Sequence, residues 1–202
     1  MSDKLILYVH GLGGSHLESE QYKKICPDFD IIGVNYDSYL PWLASEQIKN
    51  FYDNLRGQYK FIYVLANSIG AYFVMLSLKD CPLVKALFIS PILDMENIIL
   101  NMMAHAGITE NFLREKGEFI TDSGEILSWK YLSFVRENPI KWDIMTEILY
   151  AENDNITSRD IINNFVSNHN AKLTIMENGE HYFHTEEQIN FLNQWLRKAV
   201  NS

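Results

Sequence analysis

Residues 60–82 read KFIYVLANSIGAYFVMLSLKDCP, and the reading of this stretch decides the fold. An apolar run of strand length ends at Ser68, and a second apolar run, long enough for a helix, follows it to Pro82. Ala66 lies two residues before Ser68 and Gly70 two residues after it. A chain that turns sharply from strand into helix needs small residues at both of those places, and the turn itself exposes the serine between them. A serine that merely opens a helix as its N-cap matches the same spelling, so the flanking elements carry the argument. The helix has no polar face, which places it in the interior.

Outward from this stretch the chain alternates short apolar runs with stretches of helical period. KLILYVHG, DIIGVNY, KFIYVLAN and VKALFIS in the first half, EILYAEN at 147–153 and KLTIMEN at 172–178 read as strands. Ser15 and Glu18 fit a capping box ahead of one helical stretch, and Thr185 and Gln188 fit another. Ile48, Phe51, Tyr52 and Leu55 share a helical face, as do Ile189, Leu192, Trp195, Leu196 and Ala199. Alternation of this kind predicts a single α/β domain over 1–202, a mostly parallel sheet of about six strands with helices on both faces. Residues 95–142 break the rhythm. They read as a mainly helical insertion with a short hairpin around Asp122–Gly124, a cap or lid over the sheet edge that carries the loops.

With 202 residues the chain is long enough for one well-buried core. A net charge of -9 with no basic patch speaks against nucleic acid or an anionic membrane as the main partner. Cys26 and Cys81 have neither disulfide-scaffold nor metal spacing. The apolar run at the N-terminus is interrupted by glycine before it reaches the length of a signal peptide or a membrane span, so cytoplasmic residence is expected.

If Ser68 is a nucleophile, it needs a base within hydrogen-bond reach and a carboxylate to orient that base. His181, in the glycine-containing loop ENGEHYFHT after the last strand, sits where parallel sheets assemble their sites; His184, three residues on, is the alternative. Asp154, after EILYAEN, has the same topological position, with Asp94 after VKALFISPIL as its rival. Attack on an acyl carbon creates an oxyanion that wants two backbone N–H donors. Ile69, following the serine, supplies one; the other comes from the loop HGLGG at 10–14, most directly Leu12, with Gly11, Gly13 and Gly14 allowing close approach of the main chain. That loop lacks the spacing of a phosphate-binding glycine motif.

HGLGG, Ala66-Asn67-Ser68-Ile69-Gly70, Asp154 and His181, in that chain order and over nearly the whole sequence, resemble the α/β-hydrolase fold superfamily. Alanine replaces the first elbow glycine. The sequence opens directly on the strand before the oxyanion loop, so the two early antiparallel strands of larger members are expected to be missing. The resemblance implies a compact serine hydrolase of bacterial type, acting on carboxylic esters or related acyl substrates through an acyl-enzyme, without metal or organic cofactor. Thioesterase or amidase chemistry uses the same machinery, and a non-catalytic binder of a small molecule or protein is the alternative of another class. The expected partner is a small-molecule acyl substrate. Met102, Met103 and Trp129 in the insertion are the candidate substrate contacts, or else part of the insertion's own core.

Overall fold

In a computed structural model describing residues 2–202, the apolar runs become strands in the expected order. Strands β1 (Lys4–Val9), β2 (Asp30–Gly33), β3 (Phe61–Asn67) and β4 (Lys85–Ile89) come first. β5 (Glu118–Ile120) and β6 (Ile126–Ser128) form a separate antiparallel hairpin, and β7 (Thr146–Ala151) and β8 (Ala171–Met176) complete the main sheet. That sheet runs β2-β1-β3-β4-β7-β8, with every pairing parallel. The chain leaves β1 for β2 on one side and then crosses to β3 on the other. The carboxyl ends of β1 and β3 therefore face the crevice where open α/β sheets place their ligands.

Helices α1 (Pro41–Leu55) and α2 (Ile69–Leu78) precede α3 (Met95–His105), α4 (Glu110–Lys116) and α5 (Trp129–Glu137); α6 (Arg159–Asn168) and α7 (Glu186–Ala199) close the chain. The chain divides into two compact units, 1–93 with 141–202, and 94–140.

In the sheet unit, Ile6, Tyr8, Leu65, Leu87, Leu149 and Ala151 point to one face and pack with Tyr22, Ile25 and Phe29 and with Leu192, Trp195 and Leu196 of α7. Their neighbours of opposite parity, Leu5, Leu7, Val64, Phe88 and Ile148, are just as inaccessible on the face where α1, α2 and α6 pack. Burial on both faces is why these strands read as continuous apolar runs rather than as alternation. Helix α2 is buried almost all round, as its lack of a polar face requires. At the other end of the sheet Lys85, itself buried, donates to Ala199 O at 2.8 Å and pairs with Glu147 at 3.3 Å, fixing the end of α7 against β4 and β7.

Three details differ from expectation. The stretch after Ser15 forms a 3₁₀ helix, His16–Tyr22, although its capping box is complete. Helix α1 starts at Pro41, ahead of the stretch that carries its apolar stripe; proline at the first helical position fits there because its missing N–H would be unpaired anyway. Ile189 is 42% exposed instead of inward, because it is the neighbouring Gln188 that faces inward in the first turn of α7.

The unit 94–140 holds α3, α4, the β5–β6 hairpin and α5. Its hairpin turns at Gly124, where φ is +87°. Met103, Leu113, Leu127 and Leu132 form its interior, and Arg136 of α5 binds Glu96 at 2.6 Å and Glu110 at 2.7 and 2.8 Å, tying three helices together. No helix among the described residues is long and apolar enough to cross a membrane.

Candidate active site

Ser68 stands between the last residue of β3 and the first of α2, with φ 51° and ψ -121°. A side chain at positive φ is a strained state, costing on the order of 1–3 kcal/mol, and it persists only where the surroundings impose it. Here they do: Ser68 N–H donates to Ile89 O at 3.0 Å, and Ser68 O accepts from Ala71 and Ile92 N–H at 3.1 Å each. Gly70 makes the turn possible, since a Cβ at that position would lie 2.5 Å from His10 O and 2.7 Å from Val9 O. Ala66 is fully buried between Val9 and Phe88 in the sheet, where its methyl is tolerated.

Two loops at the carboxyl ends of β7 and β8 meet this serine. Asp154 Oδ1 accepts from Ile156 N–H at 2.8 Å and Thr157 N–H at 3.0 Å, leaving Oδ2 for His181 Nδ1 at 2.7 Å. His181 Nε2 lies 3.0 Å from Ser68 Oγ. An ionised carboxylate only accepts, so the imidazole proton sits on Nδ1, and Nε2 offers its lone pair to the serine hydroxyl. Burial opposes the charge on Asp154, but the bond from His181 and the two backbone N–H groups outweigh it and hold the carboxyl below the usual range. The structure thus brings Ser68, His181 and Asp154 into one hydrogen-bonded line.

Gly11–Gly14 form a β-turn closed by Gly14 N–H to Gly11 O at 3.1 Å. Gly13 takes φ +74°, which a type II turn requires at its third position. Leu12 occupies the second position, its side chain 70% exposed and its N–H outside the turn's own hydrogen bond. Gly11 runs directly beside Ser68, for a Cβ there would lie 3.2 Å from Ser68 Cβ. Ile69 opens α2, and the first N–H groups of a helix have no partner within it. Ile69 thus follows Ser68 directly, and Leu12 follows the glycine that runs beside it.

Residues that the sequence reading did not single out brace this arrangement. Tyr39 Oη accepts from Gly13 N–H at 3.0 Å and reaches Gly11 O at 3.4 Å, while Tyr36 Oη donates to His10 O at 2.6 Å. The His10 ring stacks on Tyr36 at 4.2 Å, so it too braces the loop. Tyr8 donates to Glu18 Oε2, Glu18 Oε1 accepts from Ser15 N–H at 3.1 Å, and Asn67 lines the same cavity as Tyr8 and Glu18. Burial above all, then the Tyr22 phenol and the bond to Glu18, push the Tyr8 phenol far above its ordinary range, so it remains a donor.

His184 has its side chain 60% exposed and pairs with Glu180 at 3.3 Å. Asp94 caps α3, accepting from Asn97 N–H at 2.9 Å. In the unit 94–140 Met103 is buried, Met102 half-buried, and the half-buried Trp129 lies under the Arg114 guanidinium at 5.8 Å. No group of three or more His, Cys, Asp or Glu among the described residues is arranged to hold a metal ion.

No family model matches the chain, and no curated protein matches it in sequence. Solved structures do match in shape. Est1E from Butyrivibrio proteoclasticus superposes with a TM-score of 0.75 at 14% identity, over 98% of this chain and 87% of its own. Alpha/beta hydrolase domain-containing protein 10 from mouse gives 0.74 at 12% identity, over 98% and 89%. The peroxisomal alpha-beta-hydrolase Lpx1 from Saccharomyces cerevisiae gives 0.65 at 11%, over 99% and 77%. The chain has the α/β-hydrolase fold. Within that fold the described sheet is wholly parallel, and Ser68, Asp154 and His181 follow strands β3, β7 and β8 in turn.

Proposed function

We propose that this α/β-hydrolase-fold chain is a serine hydrolase of carboxylic esters or related acyl compounds. One observation carries the reading: Ser68 Oγ, on a strained strand-to-helix turn, lies 3.0 Å from an imidazole whose other nitrogen is 2.7 Å from a buried carboxylate. Ser68 Oγ attacks the acyl carbon and gives its proton to His181 Nε2, while Asp154 stabilises the imidazolium. Leu12 and Ile69 N–H groups receive the oxyanion. Collapse breaks the acyl–oxygen bond, the leaving alcohol takes the proton from His181, and water repeats the sequence on the acyl-enzyme to release the acid. The insertion 95–142 is proposed as the cap, with the half-buried Met102 and Trp129 contacting short to medium acyl chains, while Met103 belongs to the insertion's own core. Two free cysteines accord with a cytoplasmic location.

Intact-mass labelling with a fluorophosphonate tests the reading. Wild type should gain one adduct, and Ser68→Ala and His181→Ala should each lose it. Folded wild type that gains no adduct refutes the proposal and turns the reading towards a binding protein.

A further inference from the structure

Beside His181, inside the sheet unit, the fold leaves a cavity of about 250 Å³. Its wall includes Tyr8, Glu18, Tyr22, Asn67, Ile189 and Asn193. At ~30 Å³ per water-sized group, it has room for roughly eight such groups. Histidine aside, Glu18 is the only charged residue on that wall. Its carboxylate accepts from two neutral donors, the Tyr8 hydroxyl and Ser15 N–H, and makes no ion pair among the described residues. Each oxygen keeps a lone pair, and the negative charge keeps no counter-cation. The rings of Tyr22, Tyr182 and Phe183 complete the same wall, and aromatic faces attract cations.

We infer that this cavity receives the leaving group of the substrate and selects an alcohol bearing an ammonium. The inference rests on the serine-hydrolase reading. In that mechanism His181 must hand its proton to the departing oxygen, so the leaving oxygen lies against the imidazole. His181 lines the cavity, and on this inference the atoms beyond that oxygen extend into it. A cationic end there meets the unpaired carboxylate of Glu18, whereas a neutral end of the same shape leaves that charge unanswered.

The test compares butyrylcholine with 3,3-dimethylbutyl butyrate, its uncharged isostere, on the full chain in a pH-stat. Wild type should favour the cation by roughly tenfold in kcat/KM. The overall negative charge attracts cations by itself, so the decisive quantity is the fall of that ratio in Glu18→Gln to about threefold or less. Glutamine still serves in a capping box, so the 3₁₀ helix keeps its start. Should that variant melt early, Ile189→Lys decides instead: it sets an ammonium on the cavity wall and should lower the ratio likewise. A wild-type ratio near one, or a ratio unchanged in the folded variants, overturns the inference; if wild type still carries the fluorophosphonate adduct, the hydrolase reading survives that result. Absence of the adduct overturns both.

Discussion

Replacing Asp154 by asparagine tests the hydrogen-bonded line at its least accessible point. In the wild type Oδ1 is held by two N–H donors, from Ile156 and Thr157, and Oδ2 takes the imidazole proton. Asparagine has one acceptor and one donor group. The two backbone donors claim the oxygen, so the amide nitrogen faces His181 Nδ1 and donates to it. The imidazole proton is then forced onto Nε2, which points at Ser68 Oγ from 3.0 Å. Nε2 now donates to Ser68 Oγ instead of accepting from it, and the serine has no base for its proton. A wrong tautomer of this kind lowers kcat by about 10⁴-fold, or about 5.5 kcal/mol of barrier. Steady-state hydrolysis of p-nitrophenyl butyrate measures it, with the rate of fluorophosphonate labelling as a second readout. Asp94→Asn is the control: asparagine caps a helix as well as aspartate, so α3 stays capped and activity stays within twofold.

The same variant reports on stability. The folded carboxyl of Asp154 titrates below its ordinary value, so its ionised form stabilises the fold. For a group depressed on folding, that stabilisation is present above the unfolded pKa, about 3.9, and is lost as pH falls through the folded value. Wild type should therefore outlast Asp154→Asn at neutral pH in a chemical melt, and the difference should shrink in acid below about pH 4. Activity of folded Asp154→Asn within tenfold of wild type would refute the reasoning, because the imidazole would then be held by something other than Asp154.

Other outcomes follow from the same geometry. Ser68→Gly should be more stable than Ser68→Ala by about 1 kcal/mol, a Tm difference of roughly 2–4 °C by calorimetry, because only glycine accepts φ 51° without strain. Gly70→Ala drives a methyl into the carbonyls of His10 and Val9 and should cost about 3 kcal/mol in urea melts while also slowing serine labelling. Lys85→Met leaves the buried Glu147 only the more distant Lys172, at 3.8 Å, as a counter-charge and should cost about 3 kcal/mol, and adding Glu147→Leu should recover most of it.

The sheet was legible because strands buried on both faces must be apolar throughout, and each ends in a residue of distinct chemistry: glycines after β1, a serine between small residues after β3, Asp154 after β7, His181 after β8. Side chains that reach the site across sequence left no such mark. Tyr36 and Tyr39 lie in the connection between β2 and α1, and nothing in their spacing shows that their hydroxyls fold back 26 to 28 residues onto His10, Gly11 and Gly13. Tyr8 reads as one more aromatic of a buried strand, and Glu18 as half of a capping box; both readings hold, and neither reveals that the two groups meet. Their meeting follows from topology. Placing β1 beside β3 brings Asn67 next to Tyr8, and the 3₁₀ helix that follows the Gly11–Gly14 turn lays Glu18 over them. The capping box that starts the 3₁₀ helix therefore also fixes the carboxylate beside Asn67. Local helix chemistry and the polar wall beside Ser68 are one construction, so a substitution at Glu18 that keeps the cap and removes the charge separates the two roles.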